Sequence, residues 1–569
     1  MNIIKATNKA IRLLPGIIIA ILLWILWFLV PQLTTGGTAM VVSVFGGLAC
    51  SFLILIWWVF FSRAGLVDRL LAVAVMLVAL VIFNRFTHDS IKTGMSGLMY
   101  FIYAVPILSI SFVIWAAVSR NMSKMLKRLT MILTIVFACG FWTLLRSEGI
   151  TGNASAIFEW RWAKTNEEKL LSQSEEVLTK RGNLKETDAN WPGFRGPNRD
   201  NKVRGVKIET DWTNSPPVEL WRKPIGPGCS SFAVLGSVFY TQEQRGDDEV
   251  VSCYNLETGE AIWKHSDKAR FWDSHAGAGP RSTPYIQDSL LYTLGATGIL
   301  NVLNLYNGKL IWSKNAAEDI QDTIPGWGYT SSPVVIDSVI IVAVSGTLVA
   351  YDAYSGELKW RGPDGGENYS SPHFITIGGV KQVLMMSENA VNSFNPANGE
   401  ILWQRKWGAG AIVQPAMTDE GDILISEGYK KGIHRIHVSK NSGNWIIKDL
   451  WMTSKIRPDF NDFVVHKGFL YGFEGLSLTC IDLNNGERKW KAGRYGGQVL
   501  ILTDQDLLLV LSEKGELVLL EANPEKLTEL AKFQAIEGKT WNHHVLVNDI
   551  ILVRNTQEMA AFRLTLANN

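Results

Sequence analysis

The sequence predicts an all-β, eight-bladed β-propeller preceded by an α-helical membrane domain. Three observations predict it. A short phrase recurs through residues 221–533, a polar marker runs in phase with it, and five apolar runs crowd residues 1–148.

The phrase reads strand, polar-glycine turn, then strand ending in Trp. Its clearest copies are 256–263, 305–312, 353–360, 396–403 and 483–490. Each turn holds a glycine (Gly259, Gly308, Gly356, Gly399, Gly486), which supplies the positive φ a tight hairpin needs. Weaker copies end at Trp451 and Phe533, and a lone strand ending at Trp221 opens the series. Successive endings lie 39–49 residues apart, the length of one four-stranded blade at roughly 40–50 residues.

The second marker is a polar knot before each inner strand. Its eight copies are Ser230-Ser231, Ser282-Thr283-Pro284, Ser331-Ser332-Pro333, Ser370-Ser371-Pro372, Val413-Gln414-Pro415, Asn461-Asp462, Gly496-Gly497-Gln498 and Asn542-His543-His544. Read locally, Ser/Thr-x-Pro before a strand is a turn closed by its own hydroxyl. The strand at Trp221 has no inner strands before it, and 545–566 has no Trp-ended strand after it. The expected closure pairs these two in the last blade, so that no long sheet edge is exposed.

The apolar runs are 13–30, 40–61, 66–83, 97–118 and 129–145, each long enough to be read as a membrane-crossing helix. No small-residue cleavage site follows the first, so it reads as an uncleaved helix. Lys5, Lys9, Arg12, Arg63, Arg69, Arg120, Lys124, Lys127 and Arg128 fall on one side, and only Arg85 and Lys92 on the other. The positive-inside rule then puts the N-terminus in the cytoplasm and everything after the fifth helix outside it. The runs are nearly devoid of ionisable residues, which suits an anchor better than an ion path. Residues 149–190, polar and mixed in charge, read as an extracytoplasmic stalk with a surface helix over 163–180. The propeller occupies 191–569.

Net charge is +2 with 19% charged residues and no basic patch, so nucleic acid is not an expected partner. Cys229, Cys253 and Cys480 follow the membrane domain. They read as buried thiols, with a Cys229–Cys253 bridge as the alternative.

The Gly-Glu/Lys-x-x-Trp endings resemble the repeats of PQQ-type β-propellers. That group includes quinoprotein dehydrogenases and outer-membrane assembly factors of the BamB type. The segment Trp191-Pro192-Gly193-Phe194-Arg195-Gly196-Pro197-Asn198-Arg199-Asp200 resembles the opening motif of BamB-like PQQ-repeat proteins. The resemblance implies the fold over 191–569. For activity it points two ways. Membrane-bound quinoprotein glucose dehydrogenases also place about five helices before a PQQ propeller, and PQQ enzymes hold Ca²⁺ through carboxylate and amide oxygens. This sequence has neither the adjacent cysteines of many alcohol-oxidising members nor long insertions between strands. It also has no lipobox, unlike the BamB lipoprotein.

By analogy with the fold, ligands meet the face where connections between blades gather. The loops there offer Asp273, His275, Arg281, Trp327, Tyr329, Tyr369, Asn461, Asp462, Trp541 and His543. Such a funnel suits a peptide, a glycan or a planar cofactor. The histidines match no metal spacing, and Asp273 and Asp462 also suit loop caps. The expected function is a non-enzymatic binding or assembly scaffold, with no cofactor, in the bacterial cytoplasmic (inner) membrane. Its partners would be the bilayer and a protein or polymer of the envelope. The alternative is a PQQ- and Ca²⁺-dependent dehydrogenase passing electrons to quinone.

Overall fold

The computed structural model describes residues 11–33, 37–152, 155–172, 190–408, 412–428 and 431–567. They form two compact units. One comprises residues 1–163 with Ser274–Ala276, the other 164–273 with 277–569.

Among the described residues of the first unit four helices are long and apolar enough to cross a membrane: Val42–Phe61, Leu66–Phe86, Met99–Asn121 and Lys124–Leu144. The sequence reading expected five. The remaining apolar helix, Leu14–Leu29, is shorter. At 1.5 Å per residue it spans about 24 Å, against a hydrocarbon core of about 30 Å. Its last turn, Ile25–Leu29, is wound as a π-helix. Pro31 follows, and its ring cannot sit against the carbonyl four residues back, which favours the wider turn. Helix ends also move outward from the apolar runs. The final helix starts at Lys124 because the Ser123 hydroxyl accepts the Leu126 N–H, so three basic residues enter its first turns.

Small residues let the first two helices approach. A Cβ on Gly16 would lie 2.8 Å from the Trp57 ring, and one on Gly47 2.7 Å from Trp27. At one end of the unit Arg12 N–H donates to the Ser62 carbonyl and Arg128 pairs with Asp68 at 2.6 Å. At the other end a hairpin, Leu145–Ile150 with Ala156–Trp160, covers the helix ends.

Among the described residues the second unit holds eight blade sheets in chain order, seven of four strands and one of five, and a two-stranded ribbon of Trp272–Asp273 with Gly277–Ala278. In each, consecutive strands pair antiparallel, which is the blade meander. Blades 1 to 7 begin at Ala233, Tyr285, Val334, His373, Ala416, Val464 and Gly497. Blade 8 is Val545–Val547, Ile550–Arg554 and Glu558–Arg563, with Val218–Pro224 as its fourth strand. Trp221 lies opposite Ala561 in that register. The fifth strand of blade 7 is Lys202–Val203, laid parallel to Gly497–Leu502. A short helix, Asn166–Leu171, precedes the propeller, closed by a capping box from Thr165 and Glu168. Residues 173–189 of the expected stalk and surface helix lie outside the described residues.

The recurring phrase has a physical basis between blades. Five of these Trp side chains, Trp221, Trp263, Trp312, Trp360 and Trp451, dock on the glycine turn of the next blade. A Cβ on Gly308 would lie 2.4 Å from the Trp263 ring, and one on Gly399 2.6 Å from Trp360. The indole N–H then donates to a backbone carbonyl in that same turn: Trp221 to Leu256, Trp263 to Leu305, Trp312 to Ala353, Trp360 to Pro396, Trp451 to Leu483. Trp403 departs from the rule and donates to the Gln382 side chain. Glycine is thus doubly required, by φ near +70° and by the ring above it. An Asn or Asp before the turn completes it. Asn304 Oδ1, for example, accepts the N–H groups of Tyr306 and Asn307. Apolar side chains fill the wedge between blades, as where Tyr240, Cys253 and Trp263 meet Leu291, Leu303 and Leu305. Each Trp removes roughly 200 Å² from water, a transfer free energy of about 5 kcal/mol.

Candidate functional site

The eight polar knots meet around the propeller axis. The sequence reading took them for local turns, but the structure joins them to one another. Ser231 N–H donates to Thr283 Oγ1 at 3.0 Å, Thr283 N–H to Ser332 Oγ at 3.0 Å and Ser332 N–H to Ser371 Oγ at 2.9 Å. Ser371 N–H continues to Gln414 Oε1, Gln414 N–H to Asp462 Oδ1 and Asp462 N–H to Gln498 Oε1. Gln498 Nε2 donates to the Trp541 carbonyl, and Ser231 Oγ closes the circuit on the His543 carbonyl at 2.7 Å. Every blade is linked to the next. The residue before each hydroxyl ties back into its own blade, as Ser282 Oγ does to the Leu294 carbonyl.

Inside this circuit sits the segment that opens the propeller. Trp191 bridges to Val234 of blade 1, and Pro192 accepts the Ile286 N–H of blade 2. Arg199 donates to the carbonyls of Pro333 and Ser332 in blade 3. Arg195 donates to Pro415 of blade 5 and Phe463 of blade 6. The Phe194 ring meets His543 of blade 8 edge-on at 4.9 Å. One short loop therefore touches most of the ring and plugs its centre. Arg195 and Arg199 are 2% and 5% exposed.

The electrostatics of the plug are one-sided. Arg195 Nε lies 3.5 Å from Asp462 Oδ2, an ion pair without hydrogen-bond geometry. Burial raises the Asp462 carboxyl, while Arg195 works against that rise. Burial, then Arg195, lowers His543 to about 3, so its imidazole is neutral and its 3.7 Å approach to Asp462 is no ion pair. Burial also drives His373 well below its ordinary range, with Arg195 and Arg199 adding to the effect. Two guanidinium groups thus face one carboxylate, and their hydrogen bonds go to backbone carbonyls.

The expected site residues fall in separate places. Asn461, Asp462 and His543 surround the plug. Asn461 Nδ2 donates to the Gly497 carbonyl at 2.6 Å. Asp273 and Arg281 form a buried pair at 2.5 Å, with Arg281 also 3.6 Å from Cys229 Sγ. His275 clusters with the first unit, its ring 3.4 Å from Ser274 Oγ. Trp327 and Tyr369 face each other at 4.7 Å. Tyr329 is buried between blades 2 and 3, its hydroxyl 3.4 Å from Asp322. Trp541 packs on Phe460, under Lys539 Nζ at 4.2 Å, and its indole N–H donates to Glu513. Arg195 and Arg199 were not among the expected residues, although the motif that carries them was.

A PQQ–Ca²⁺ site needs several oxygen ligands converging on one point. Among the described residues no three His, Cys, Asp or Glu side chains gather to hold a metal. The axial carboxylate Asp462 already accepts the Gln414 N–H and faces Arg195. The residues around the plug do not fit that cofactor. All five cysteines are thiols.

Residues 247–492 match a family model described as outer membrane protein assembly factor BamB. The resemblance of the repeats to PQQ-type propellers is borne out over that stretch. No curated protein sequence matches the chain. Among solved structures, BamB from Moraxella catarrhalis is 13% identical, with 61% of this chain and all of that chain covered and a TM-score of 0.44. Quinohemoprotein alcohol dehydrogenase from Comamonas testosteroni is 12% identical, with 68% and 82% covered and a TM-score of 0.49. Sqt1 from Saccharomyces cerevisiae is 10% identical, with 62% and 100% covered and a TM-score of 0.46. The propeller assignment itself rests on the strand pairing described above.

Proposed function

We propose that this chain is a membrane-anchored binding or assembly scaffold whose propeller faces the outside of a bacterial cytoplasmic membrane. One observation carries the reading. The propeller axis is filled by the chain's own plug, with Arg195 and Arg199 bonded to blade carbonyls. What remains for a ligand is the outside of the ring: its loops and the edges of its outer strands. The outer strand of blade 5, Asn444–Thr453, is long and keeps Ile446, Leu450 and Met452 exposed. A strand edge of that kind suits a protein partner that adds a strand.

The orientation follows from the basic residues. Arg12, Arg69 and Arg128 gather at one end of the helices, where the positive-inside rule puts the cytoplasm. The covering hairpin closes the other end.

The test is equilibrium binding of PQQ to the purified full-length chain, with and without Ca²⁺, followed by absorbance. The scaffold reading expects no saturable binding up to about a millimolar, where association is worth only about 4 kcal/mol. Ca²⁺-dependent saturation at micromolar levels overturns it in favour of a quinoprotein dehydrogenase.

A further inference from the structure

The hairpin at the outer end of the helices carries a pair of tryptophans that its own fold leaves bare. Trp160 and Trp162 stack at 5.1 Å with planes 16° apart, and they are 44% and 68% exposed. A stacked indole pair in water is unusual for a structure that has cores available to it.

Their position fixes what covers them. Trp160 meets Phe141 at 6.2 Å, at the end of the Lys124–Leu144 helix. Arg161 N–H donates to the Leu144 carbonyl, and its guanidinium to the Phe86 carbonyl, where the Leu66–Phe86 helix stops. Two membrane-length helices therefore end on the residue between the two indoles. The side chains beside them at those helix ends, Phe86, Phe141 and Leu144, are exposed as well. The strand is two-faced. Phe158 packs inward on Tyr103 and Trp142, whereas Glu159 points away and is exposed.

We infer that Trp160 and Trp162 lie in the headgroup region of the bilayer and make the 145–162 hairpin an interfacial brace for the helices. The occupant of the patch is lipid, because the patch continues the apolar surface of two helices at the depth where hydrocarbon gives way to headgroups. Indole suits that layer, with an apolar body and one N–H for the ester and phosphate oxygens. Arg161 adds a cation at phosphate level. The brace also sets the height at which the chain leaves the membrane.

The test uses the full-length chain in nanodiscs of phosphatidylethanolamine and phosphatidylglycerol, in a Cys229→Ala background, since the other four cysteines are buried. Trp162→Cys and Glu159→Cys are each labelled with bimane. Quenching is read with lipid carrying a nitroxide at acyl carbon five and with aqueous iodide. The brace predicts that nitroxide lipid quenches position 162 at least about twofold more than position 159, and that iodide shows the reverse order. Equal iodide access at both positions overturns it. So does shielding of position 162 from both quenchers, which would mean that protein covers the patch. Leu144→Cys, on the helix end, gives the same reading with both indoles intact, should Trp162→Cys misfold.

Discussion

Ser231 Oγ lies 2.7 Å from the carbonyl oxygen of His543, and this contact ties the first blade to the last. It is the closing link of a circuit whose other links are six backbone N–H donors and the Gln498 side-chain amide. Thr283 is a matched test of such a link, because it accepts the Ser231 N–H and is 2% exposed. Thr283→Ala leaves that N–H buried without an acceptor and is expected to cost about 1–3 kcal/mol. Thr283→Ser keeps the oxygen and should recover most of the loss. Urea unfolding of the full-length chain with both variants checks it. Equal losses would assign the effect to packing.

The plug predicts a coupling between residues far apart in sequence. Arg195→Met strands the Asp462 carboxylate in a dry site and removes donors to Pro415 and Phe463. Removing one member of a buried pair costs about 3–5 kcal/mol. Arg195→Met combined with Asp462→Asn should lose less than the two single changes added together, with a coupling of about 1 kcal/mol or more. Additive losses in a double-mutant cycle of unfolding midpoints would show that the two side chains act independently.

The repeat signature itself can be tested at Gly308, whose φ is +67° and whose Cβ position lies 2.4 Å from the Trp263 ring. Gly308→Ala pays twice, once in backbone strain and once in pushing the indole off its turn. A loss of about 2–4 kcal/mol is expected. Gly421→Ala is the control, since its φ is also positive but nothing lies within 4 Å of its Cβ position. It should lose only the backbone part. A Gly308 variant no worse than the Gly421 variant would remove the ring from the explanation.

These positions also show what was legible in the sequence. Gly308 and Trp263 announced the blade because a tight turn and a large ring are local demands that repeat with every copy. The link through Ser231 could not be read, since a hydroxyl before a strand looks the same whether it bonds its own turn or the next blade. Arg195 and Arg199 were hidden for a similar reason. Charge at a loop start reads as surface, and only ring closure puts it inside. The first helix was misjudged because hydropathy does not register the widened turn before Pro31. By sequence the ten funnel candidates share a loop position on one face of the ring and a polar or aromatic side chain, and neither fixes a distance. Sequence supplied no distance between Asp273 and Asp462, and the structure divides them between separate clusters.

Glu249 gives the chain a pH-dependent joint between blades 1 and 2. Its carboxylate accepts the Ala296 N–H at 3.1 Å and is 5% exposed. Burial raises its pKa to about 7, against the Ala296 hydrogen bond and Arg281. A group whose pKa is raised on folding binds its proton more tightly in the folded state. Its contribution is therefore fully present below about 4.5, the unfolded value, and is lost as pH rises through about 7. The loss amounts to about 3 kcal/mol at most, at 1.36 kcal/mol per unit. Glu249→Gln keeps an acceptor for Ala296 and cannot ionise. It should match the parent near pH 4.5, exceed it in stability at pH 8, and flatten the profile between those values. Unfolding midpoints across that range decide the matter. A variant less stable than the parent at pH 8 would mean that the ionised carboxylate is favourable where it lies.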